Sequence, residues 1–313
     1  MRDVVIIGGG LSGLAAAYEL EKQQIDYTLI EVKRHLGGSI HSVTQDGCIM
    51  DGGAFVLFDS LPTDMLHDLD LVEAITHVEK DKIIFNGGTQ TLIDAIADCL
   101  TGPRLMRMAV SSLGEIDGRY AICMENGLMF DAKTIIIAAP ARYAERMLFN
   151  LRQDIALQLA DYYYDSLHRV NLVYPTADLP AIYSPPDPGF AFINRVDDSP
   201  RVPAGHTLLQ FGMRFAPQSK HESIINLIRA QYDLGEPVTQ YIAHWPEADM
   251  LSSYDDAHDE RVRQIRAQLP PGMALIGSDY CLEHPMWRGV HRLDERIQQG
   301  RDAAHTMMEY LQS

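Results

Sequence analysis

Three glycines near the beginning of the sequence have the spacing of a phosphate-binding turn. They lie in the run Gly8-Gly9-Gly10-Leu11-Ser12-Gly13, directly after the β-branched residues 4–7. In such a turn the first glycine permits a tight bend, the second lets backbone N–H groups approach a pyrophosphate, and the third lets a helix pack on a strand. The N-terminus of that helix adds the positive end of its dipole. We therefore predict a dinucleotide phosphate site at Gly8, Gly10, Leu11, Ser12 and Gly13.

An acidic residue follows these glycines at a distance suited to a ribose ligand. Residues 14–23 are rich in alanine and leucine, which predicts a helix, and residues 27–30 predict a second strand that ends at Glu31. A carboxylate there accepts hydrogen bonds from ribose hydroxyls and repels a 2′-phosphate, so FAD or NAD is favoured over NADP. Glycine spacing alone also fits a glycine-rich turn of an ordinary α/β domain. Strand, glycines, helix, strand and acid in register favour the dinucleotide site.

The residues that follow Glu31 distinguish FAD from NAD. The run from Glu31 to Ser39 resembles the E-x-x-x-R-x-G-G-R motif of the flavin amine oxidase and protoporphyrinogen oxidase superfamily, with His35 and Ser39 at the two arginine positions. In that superfamily the paired glycines let the backbone pass close to the flavin-side phosphate. The resemblance implies FAD, with contacts from Gly37, Gly38 and Ser39. Noncovalent binding is expected, because no cysteine has the sequence context of a covalent flavin linkage.

Further segments resemble the same superfamily, in the same order, at both ends of the chain. Residues 51–55 are similar to its segment beside the flavin, and residues 138–140 to its A-T-P segment. Residues 275–304 resemble its second FAD motif, in which an acid binds ribityl or phosphate oxygen and a helix N-terminus faces the flavin pyrimidine ring. The residues that the resemblance places against FAD are Gly53, Ala54, Val110, Ala139, Asp279, Gly289 and Val290.

The resemblance also implies the fold class, an α/β protein with a Rossmann-type FAD-binding domain and an inserted, smaller α+β substrate domain. The FAD-binding domain, a parallel sheet with helices, is expected from residues 1–58, 83–145 and 270–313, and the substrate domain from residues 59–82 and 146–269. Apolar runs predict strands at residues 170–174, 207–213 and 274–276. Helical patterns cover residues 91–100, 141–164, 222–232 and 257–269 and begin again near Leu293. The proline-rich residues 185–203 are expected to form loops.

The composition argues against several classes of partner. A net charge of −17 opposes binding to nucleic acid and to anionic membranes. No apolar run approaches the roughly 18 residues of a membrane span, and the start of the sequence does not resemble a secretory signal. We expect no integral membrane segment and a cytoplasmic location. The 4 cysteines form no C-x-x-C pair and the 12 histidines no HExxH pattern, so no metal site is expected. The oligomeric state stays open.

The function that the resemblance implies is an FAD-dependent oxidoreductase of the amine oxidase type, acting on a small-molecule substrate. A hydride would pass from an amine, porphyrinogen or polyene to flavin N5, and O2 or another acceptor would reoxidise the flavin. Trp245 and Trp287 are candidates for an aromatic wall over the flavin, and no other catalytic residue stands out. Three alternatives stay open: a renalase-like oxidase of reduced nicotinamide isomers, a flavin-dependent isomerase or other enzyme without net redox change, and a noncatalytic FAD-binding protein.

Overall fold

The first β-α-β unit forms as the sequence predicts. The computed structural model describes residues 2–180, 182, 189–214, 220–250 and 256–313, so Pro185, Pro186 and Pro188 of the expected loop lie outside the described residues. β1 (Arg2–Ile7) leads into α1 (Leu11–Lys22) and then into β2 (Tyr27–Glu31), which pairs in parallel with β1. Residues 4–7 are buried because β1 has a neighbouring strand on each side.

β1 lies inside a first sheet with the strand order β8-β2-β1-β11-β10-β9. β8, β2, β1 and β11 run parallel, and β16 is a further parallel strand beside the C-terminal half of β11. β9 and β10 form an antiparallel hairpin that turns at Asp117 and Gly118. The predicted parallel sheet is confirmed. The strands are β8 (Arg104–Met106), β9 (Val110–Ile116), β10 (Arg119–Met124), β11 (Met129–Ile137) and β16 (Met273–Leu275).

Helices cover both faces of the first sheet. On one face α1, α3 (Gln90–Asp98) and α8 (Asp294–Gln312) share a core, and a Cβ atom on Gly300 of α8 would lie 2.5 Å from the Ser12 carbonyl oxygen of α1. On the other face lie α4 (Ala141–Leu148), α5 (Gln153–Ala160) and α7 (Asp256–Gln268). Among the described residues, no helix combines the length and the apolar character needed to span a bilayer.

A second sheet, with the order β17-β18-β5-β7-β6, joins segments that are far apart in the sequence. β18 pairs in parallel with β5, which places Val290 beside Val56. Leu57 faces the core under α1, whereas Val56 and Val290 face the opposite way. The strands of the second sheet are β5 (Val56–Phe58), β6 (Ile75–Glu79), β7 (Lys82–Phe85), β17 (Met286–Trp287) and β18 (Val290–His291). β3 (Ser42–Gln45) and β4 (Cys48–Asp51) form a separate hairpin before it, and α2 (Thr63–Asp68) follows β5.

The third sheet is antiparallel, with the order β13-β14-β12-β15, and α6 (His221–Tyr232) covers one of its faces. Its strands are β12 (Tyr164–Pro175), β13 (Phe190–Asp197), β14 (His206–Met213) and β15 (Thr239–Met250). The expectation of loops up to residue 203 is wrong for β13. Buried Phe190 and Phe192 belong to an alternating edge strand, and the nearby prolines, which cannot donate to a ladder, lie outside it.

The packing of the helices assigns fewer residues to the substrate domain than the sequence pattern does. Residues 59–82 and 146–269 are expected together, yet Met65 of α2 packs in the core under α1. Ile155 of α5 and Ile265 of α7 pack against the first sheet. These helices bury their apolar faces on the first domain because their neighbours in sequence lie there. We propose that the substrate domain comprises residues 164–250.

A buried ion pair ties the third sheet to the hairpin β3–β4. Arg201, in the connection between β13 and β14, donates to Asp51 at the end of β4, and both side chains are fully buried. The hydroxyls of Ser42 and Thr89 donate to the same carboxylate at 2.5 and 3.2 Å. Arg201 also donates to the Phe85 carbonyl at 2.5 Å. The Asp51 carboxylate therefore accepts hydrogen bonds from several elements, which stabilises its buried charge, whereas Nη2 of Arg201 has no hydrogen-bond partner among the described residues.

We predict that Arg201→Met destabilises the protein by about 3–5 kcal/mol, because the Asp51 carboxylate is left buried without its cation. The free energy of unfolding in urea measures the effect. Arg195→Met is the matched control, because the Arg195–Asp197 pair is partly exposed, and it should cost about 1 kcal/mol or less. Equal losses in the two variants would contradict the structural role of the buried pair.

Candidate cofactor site

The glycine turn after β1 is packed so closely that two of its glycines have no room for a side chain. Gly8 has a φ of +113°, and a Cβ atom there would lie 2.2 Å from the Ala138 carbonyl oxygen. A Cβ atom on Gly13 would lie 2.0 Å from the Gly8 carbonyl oxygen. Gly8 and Gly13 therefore serve the packing of β1, α1 and the end of β11 against each other.

Gly10 has the opposite environment, because it faces open space. The nearest heavy atom to a Cβ placed there is the Cα of Gly38, at 3.9 Å. The Gly37 N–H donates to the Gly9 carbonyl at 2.7 Å, and Gly10 and Gly37 form a parallel bridge. Two glycine segments, residues 8–10 and 37–38, thus run side by side, with partly exposed backbone at Gly10 and Gly38.

Unsatisfied donors point to an anion at this groove. No side chain caps the N-terminus of α1 at Gly10, and the first-turn N–H groups of a helix have no partner within the helix. The Ser12 hydroxyl is buried without a hydrogen-bond partner among the described residues. A pyrophosphate would accept these hydrogen bonds and would meet the positive end of the helix dipole. The groove therefore fits the phosphates of a dinucleotide.

Glu31 closes one end of the groove. Its carboxylate is 5% exposed and accepts hydrogen bonds from the N–H groups of Gly9 at 2.6 Å and Lys33 at 2.7 Å. Each carboxylate oxygen retains a lone pair for another donor. The Met108 N–H donates to the Glu31 carbonyl at 3.0 Å, which brings the start of β9, with Val110, towards the same strand end. Glu31 and the start of β9, two elements predicted to contact the cofactor, are thus linked at this strand end.

Polar side chains of the third sheet hold the segment 51–54. Asn171 of β12 donates to the Asp51 carbonyl at 2.9 Å, and Gln210 of β14 donates to the same oxygen at 3.0 Å. Trp245 of β15 donates through its indole N–H to the Gly52 carbonyl. A Cβ atom on Gly53 would lie 2.0 Å from the Ser39 carbonyl oxygen. Segments 37–39 and 51–54, both predicted cofactor segments, are therefore in contact.

The C-terminal motif reaches the site at two places. The Gly289 carbonyl accepts a hydrogen bond from Asn194 of β13 at 3.1 Å, and Val290 lies beside Val56. Asp279 is separate from this pair. It accepts hydrogen bonds from the Ala141 N–H at 2.8 Å and from the Tyr164 hydroxyl.

Asp279 and Ala139 lie together at the end of β11. Tyr280 donates to the Ala139 carbonyl at 3.1 Å, next to the hydrogen bond between Asp279 and Ala141. Burial raises the pKa of Asp279, whereas the hydrogen bonds from Tyr164 and Ala141 lower it. Burial and the charge of Asp279 raise the pKa of Tyr164, so its hydroxyl is a proton donor at neutral pH.

The two tryptophans occupy different environments. Trp245 lies against the segment 51–54, with the Lys33 ammonium 4.9 Å from the centre of its ring. Trp287 is 57% exposed, with Arg288 against its ring, and it lines a cavity of about 650 Å³ between β13 and the second sheet. Trp245 thus contacts the predicted cofactor segment 51–54, whereas Trp287 pairs with Val290 in the β17–β18 hairpin.

Several residues of the site have no motif in the sequence. Arg201, Asn171, Gln210 and Asn194 hold the predicted segments through side-chain hydrogen bonds. The available signal is the placement of Arg169 and Asn171 at alternating positions, on either side of Val170 and before the apolar residues 172–174, which marks a polar sheet face. No group of three potential metal ligands occurs among the described residues.

Basic residues surround His291 near the C-terminal motif. The ring is buried, and burial together with the charges of Arg169, Arg296 and His284 holds the pKa of His291 well below its usual range. Arg169 is 3% exposed and belongs to β12 of the third sheet. His291 is therefore neutral at physiological pH, and the positive charge comes from the arginines.

Comparison with known proteins agrees with this geometry. Residues 6–69 match the NAD(P)-binding Rossmann-like domain family, and residues 63–250 match the Flavin containing amine oxidoreductase family. Protoporphyrinogen oxidase 2 of Arabidopsis thaliana is 30% identical over 126 residues, which are 39% of this chain and 23% of that protein. Polyamine oxidase 5 of Oryza sativa subsp. japonica is 45% identical over 51 residues, 16% of this chain and 10% of that protein. These alignments span a quarter or less of the relatives' length.

A solved structure matches over the whole chain. The crystal structure of a protein assigned as a protoporphyrinogen oxidase, from Exiguobacterium sp. 255-15, aligns with a TM-score of 0.80 and 13% identity over 100% of this chain and 99% of that one. This likeness confirms the fold class. The amine oxidoreductase match covers more than half of the sequence and includes the third sheet that holds the segment 51–54. The chain therefore belongs to the flavin containing amine oxidoreductase family, and its cofactor is FAD.

Proposed function

We propose that this protein is an FAD-dependent oxidase of a small organic substrate. Bound FAD supplies a hydride acceptor at its N5 atom and is reoxidised by O2 or another acceptor. The observation that carries the proposal is the bare-backbone groove between Gly10 and Gly38, which continues through Ser39 to the segment 51–54 under the third sheet. Family membership supports the same reading.

We propose a role for most of the predicted cofactor residues. The backbone of the two glycine segments and the Ser12 hydroxyl bind the phosphates, and Glu31 accepts hydrogen bonds from the adenosine ribose, with Val110 beside the adenine. Asp279 accepts a hydrogen bond from the ribityl chain near Ala139. The residues proposed to lie beside the flavin ring are Gly53, Ala54, Gly289 and Val290.

The third sheet is proposed to form the wall of the substrate cavity. Arg169 pairs across the sheet with Gly212 on one side and Ala243 on the other, and paired residues share a face. A Cβ atom on Gly52 would lie 3.0 Å from the Cβ of Ala243, so this face is turned towards the segment 51–54. Arg169 therefore belongs to the sheet face that is turned towards the segment 51–54.

Charge favours one substrate class over another. After burial, the charges of Arg169 and Arg296 are the largest causes that lower the pKa of His291, so two guanidinium groups lie near the C-terminal motif. A positive site attracts carboxylates and repels protonated amines. We therefore propose a carboxylate-bearing, porphyrinogen-type substrate in preference to a polyamine. The named relatives include oxidases of both kinds.

Anaerobic bleaching of the bound flavin tests the function. The purified protein should release FAD on denaturation, and its yellow colour should bleach with a porphyrinogen that carries carboxylates, and not with a polyamine. Arg169→Met should raise the porphyrinogen concentration for half-maximal bleaching by roughly tenfold, the value of a hydrogen bond to a charged group. Arg195→Met, in an exposed pair, is the control.

Other outcomes of the bleaching experiment identify the alternatives. Bleaching by a polyamine alone would refute the charge argument. Bleaching only by a reduced nicotinamide isomer would favour the renalase-like alternative. A flavin that no compound bleaches, and that reoxidises slowly in air after photoreduction, would favour a noncatalytic protein.

The open space at Gly10 gives a second prediction. Gly10→Val should leave a folded protein, because a Cβ atom meets nothing nearer than 3.9 Å, yet the side chain should exclude the pyrophosphate. We expect normal circular dichroism and no bound FAD. In contrast, Gly13→Ala should impair folding itself, because its Cβ would clash with the Gly8 carbonyl oxygen at 2.0 Å. Full FAD content in soluble Gly10→Val would show that the phosphates lie elsewhere.

The tryptophans give a third prediction. Trp245→Phe should alter the flavin absorbance band and increase flavin fluorescence, because an indole near the flavin quenches it and because the hydrogen bond to Gly52 is lost. Trp287→Phe should leave both spectra unchanged, since this side chain is exposed. If both variants match the wild type, the tryptophans are structural only.

A further inference from the structure

Tyr164 connects the third sheet to the predicted cofactor acid. It is the first residue of β12, and its hydroxyl donates to Asp279 Oδ2. The same hydroxyl accepts a hydrogen bond from the Arg142 N–H at 3.3 Å, at the N-terminus of α4. One side chain of the third sheet therefore contacts both the acid of the second FAD motif and the helix that follows Ala139.

The two oxygens of Asp279 have unequal environments. Oδ2 receives the Tyr164 hydroxyl and the Ala141 N–H at 2.8 Å. Among the described residues, the Ser278 hydroxyl at 3.4 Å, a long contact, is the one donor to Oδ1. Because two donors hold Oδ2, the carboxylate plane is fixed and Oδ1 is the oxygen left for a further donor.

We propose that Tyr164 is a positioning residue for the cofactor, which holds Asp279 so that Oδ1 accepts a hydrogen bond from a hydroxyl of the FAD ribityl chain. This inference rests on the proposed FAD site. It adds a contribution from the third sheet, which belongs to the proposed substrate domain, to the binding of FAD.

The electrostatics of the pocket support this role. Burial raises the pKa of Asp279, and the Tyr164 hydroxyl is the first of the groups that lower it. A donor to a carboxylate favours the charged form. Without that hydroxyl, Asp279 takes up a proton at a higher pH and loses its ability to accept from the ribityl hydroxyl. The other titratable groups that face Asp279 are Tyr162 before β12, His258 of α7, and Tyr280 and Cys281 of its own turn.

The protonation state of Asp279 should make the affinity for FAD depend on pH. Affinity for FAD should fall as the pH falls through the pKa of Asp279, because the charged carboxylate is the acceptor. In Tyr164→Phe this fall should occur at a higher pH than in the wild type. A hydroxyl that served only packing would not move the profile.

A double-mutant cycle tests the inference. The dissociation constant of FAD is measured by flavin fluorescence between about pH 5 and about pH 8 for the wild type, Tyr164→Phe, Asp279→Ala and the double variant. We expect Tyr164→Phe to weaken FAD binding roughly tenfold in the wild-type background and to have no effect in the Asp279→Ala background. Tyr163→Phe is the control, because Tyr163 is 67% exposed and adjacent in sequence; it should bind FAD as the wild type does.

The outcomes separate this inference from the proposed function. Equal effects of Tyr164→Phe in both backgrounds, or an unshifted pH profile, would overturn the role of Tyr164 while FAD binding by the wild type stands. A wild-type protein that binds no FAD would contradict both proposals. If Asp279→Ala does not fold, Asp279→Asn keeps the volume of the side chain, and its FAD affinity should be independent of pH over the same range; a pH profile like that of the wild type would overturn the inference.

Discussion

The buried pair of Asp51 and Arg201 is the constraint on which the arrangement of this protein depends. A fully buried carboxylate is stable only when its charge and lone pairs are satisfied, and here the cation comes from the connection between two strands of the third sheet. Ser42, Thr89 and the Phe85 carbonyl complete the set from the second-sheet region. The pair therefore holds the third sheet against the hairpin β3–β4 at one point, and the segment 51–54 begins at that point.

The third sheet also contacts the predicted cofactor segments through the backbone carbonyls of those segments. An extended segment without a neighbouring strand would leave its polar groups unsatisfied when buried. The third sheet supplies donors from side chains instead: Asn171 and Gln210 to Asp51, Trp245 to Gly52, and Asn194 to Gly289. Since these donors come from all four strands, the sheet face acts as one rigid surface against two predicted cofactor segments.

The sequence predicts what depends on local spacing and misses what depends on long-range contacts. Gly8, Gly13 and Glu31 lie within one β-α-β unit, so their geometry follows from turn, helix and strand rules, and the family, fold class and FAD predictions are confirmed. Arg201 is 150 residues from Asp51, and no spacing rule joins them. β13 was missed because an edge strand near prolines has the composition of a loop. The packing of α5 and α7 against the first sheet does not follow from the sequence, because a helical pattern does not indicate which sheet its apolar face covers.

The contact between Gly300 and Ser12 has a consequence for how the chain is made. α1 is almost entirely buried, and part of its cover is α8, the last helix in the sequence. During synthesis the apolar face of α1 stays uncovered until α8 has left the ribosome, and β16 joins the first sheet equally late. Contacts of such long sequence separation slow folding and prolong the exposure of apolar surface. The nucleotide-binding unit is therefore complete only when segments about 250 residues or more further along the chain have joined it.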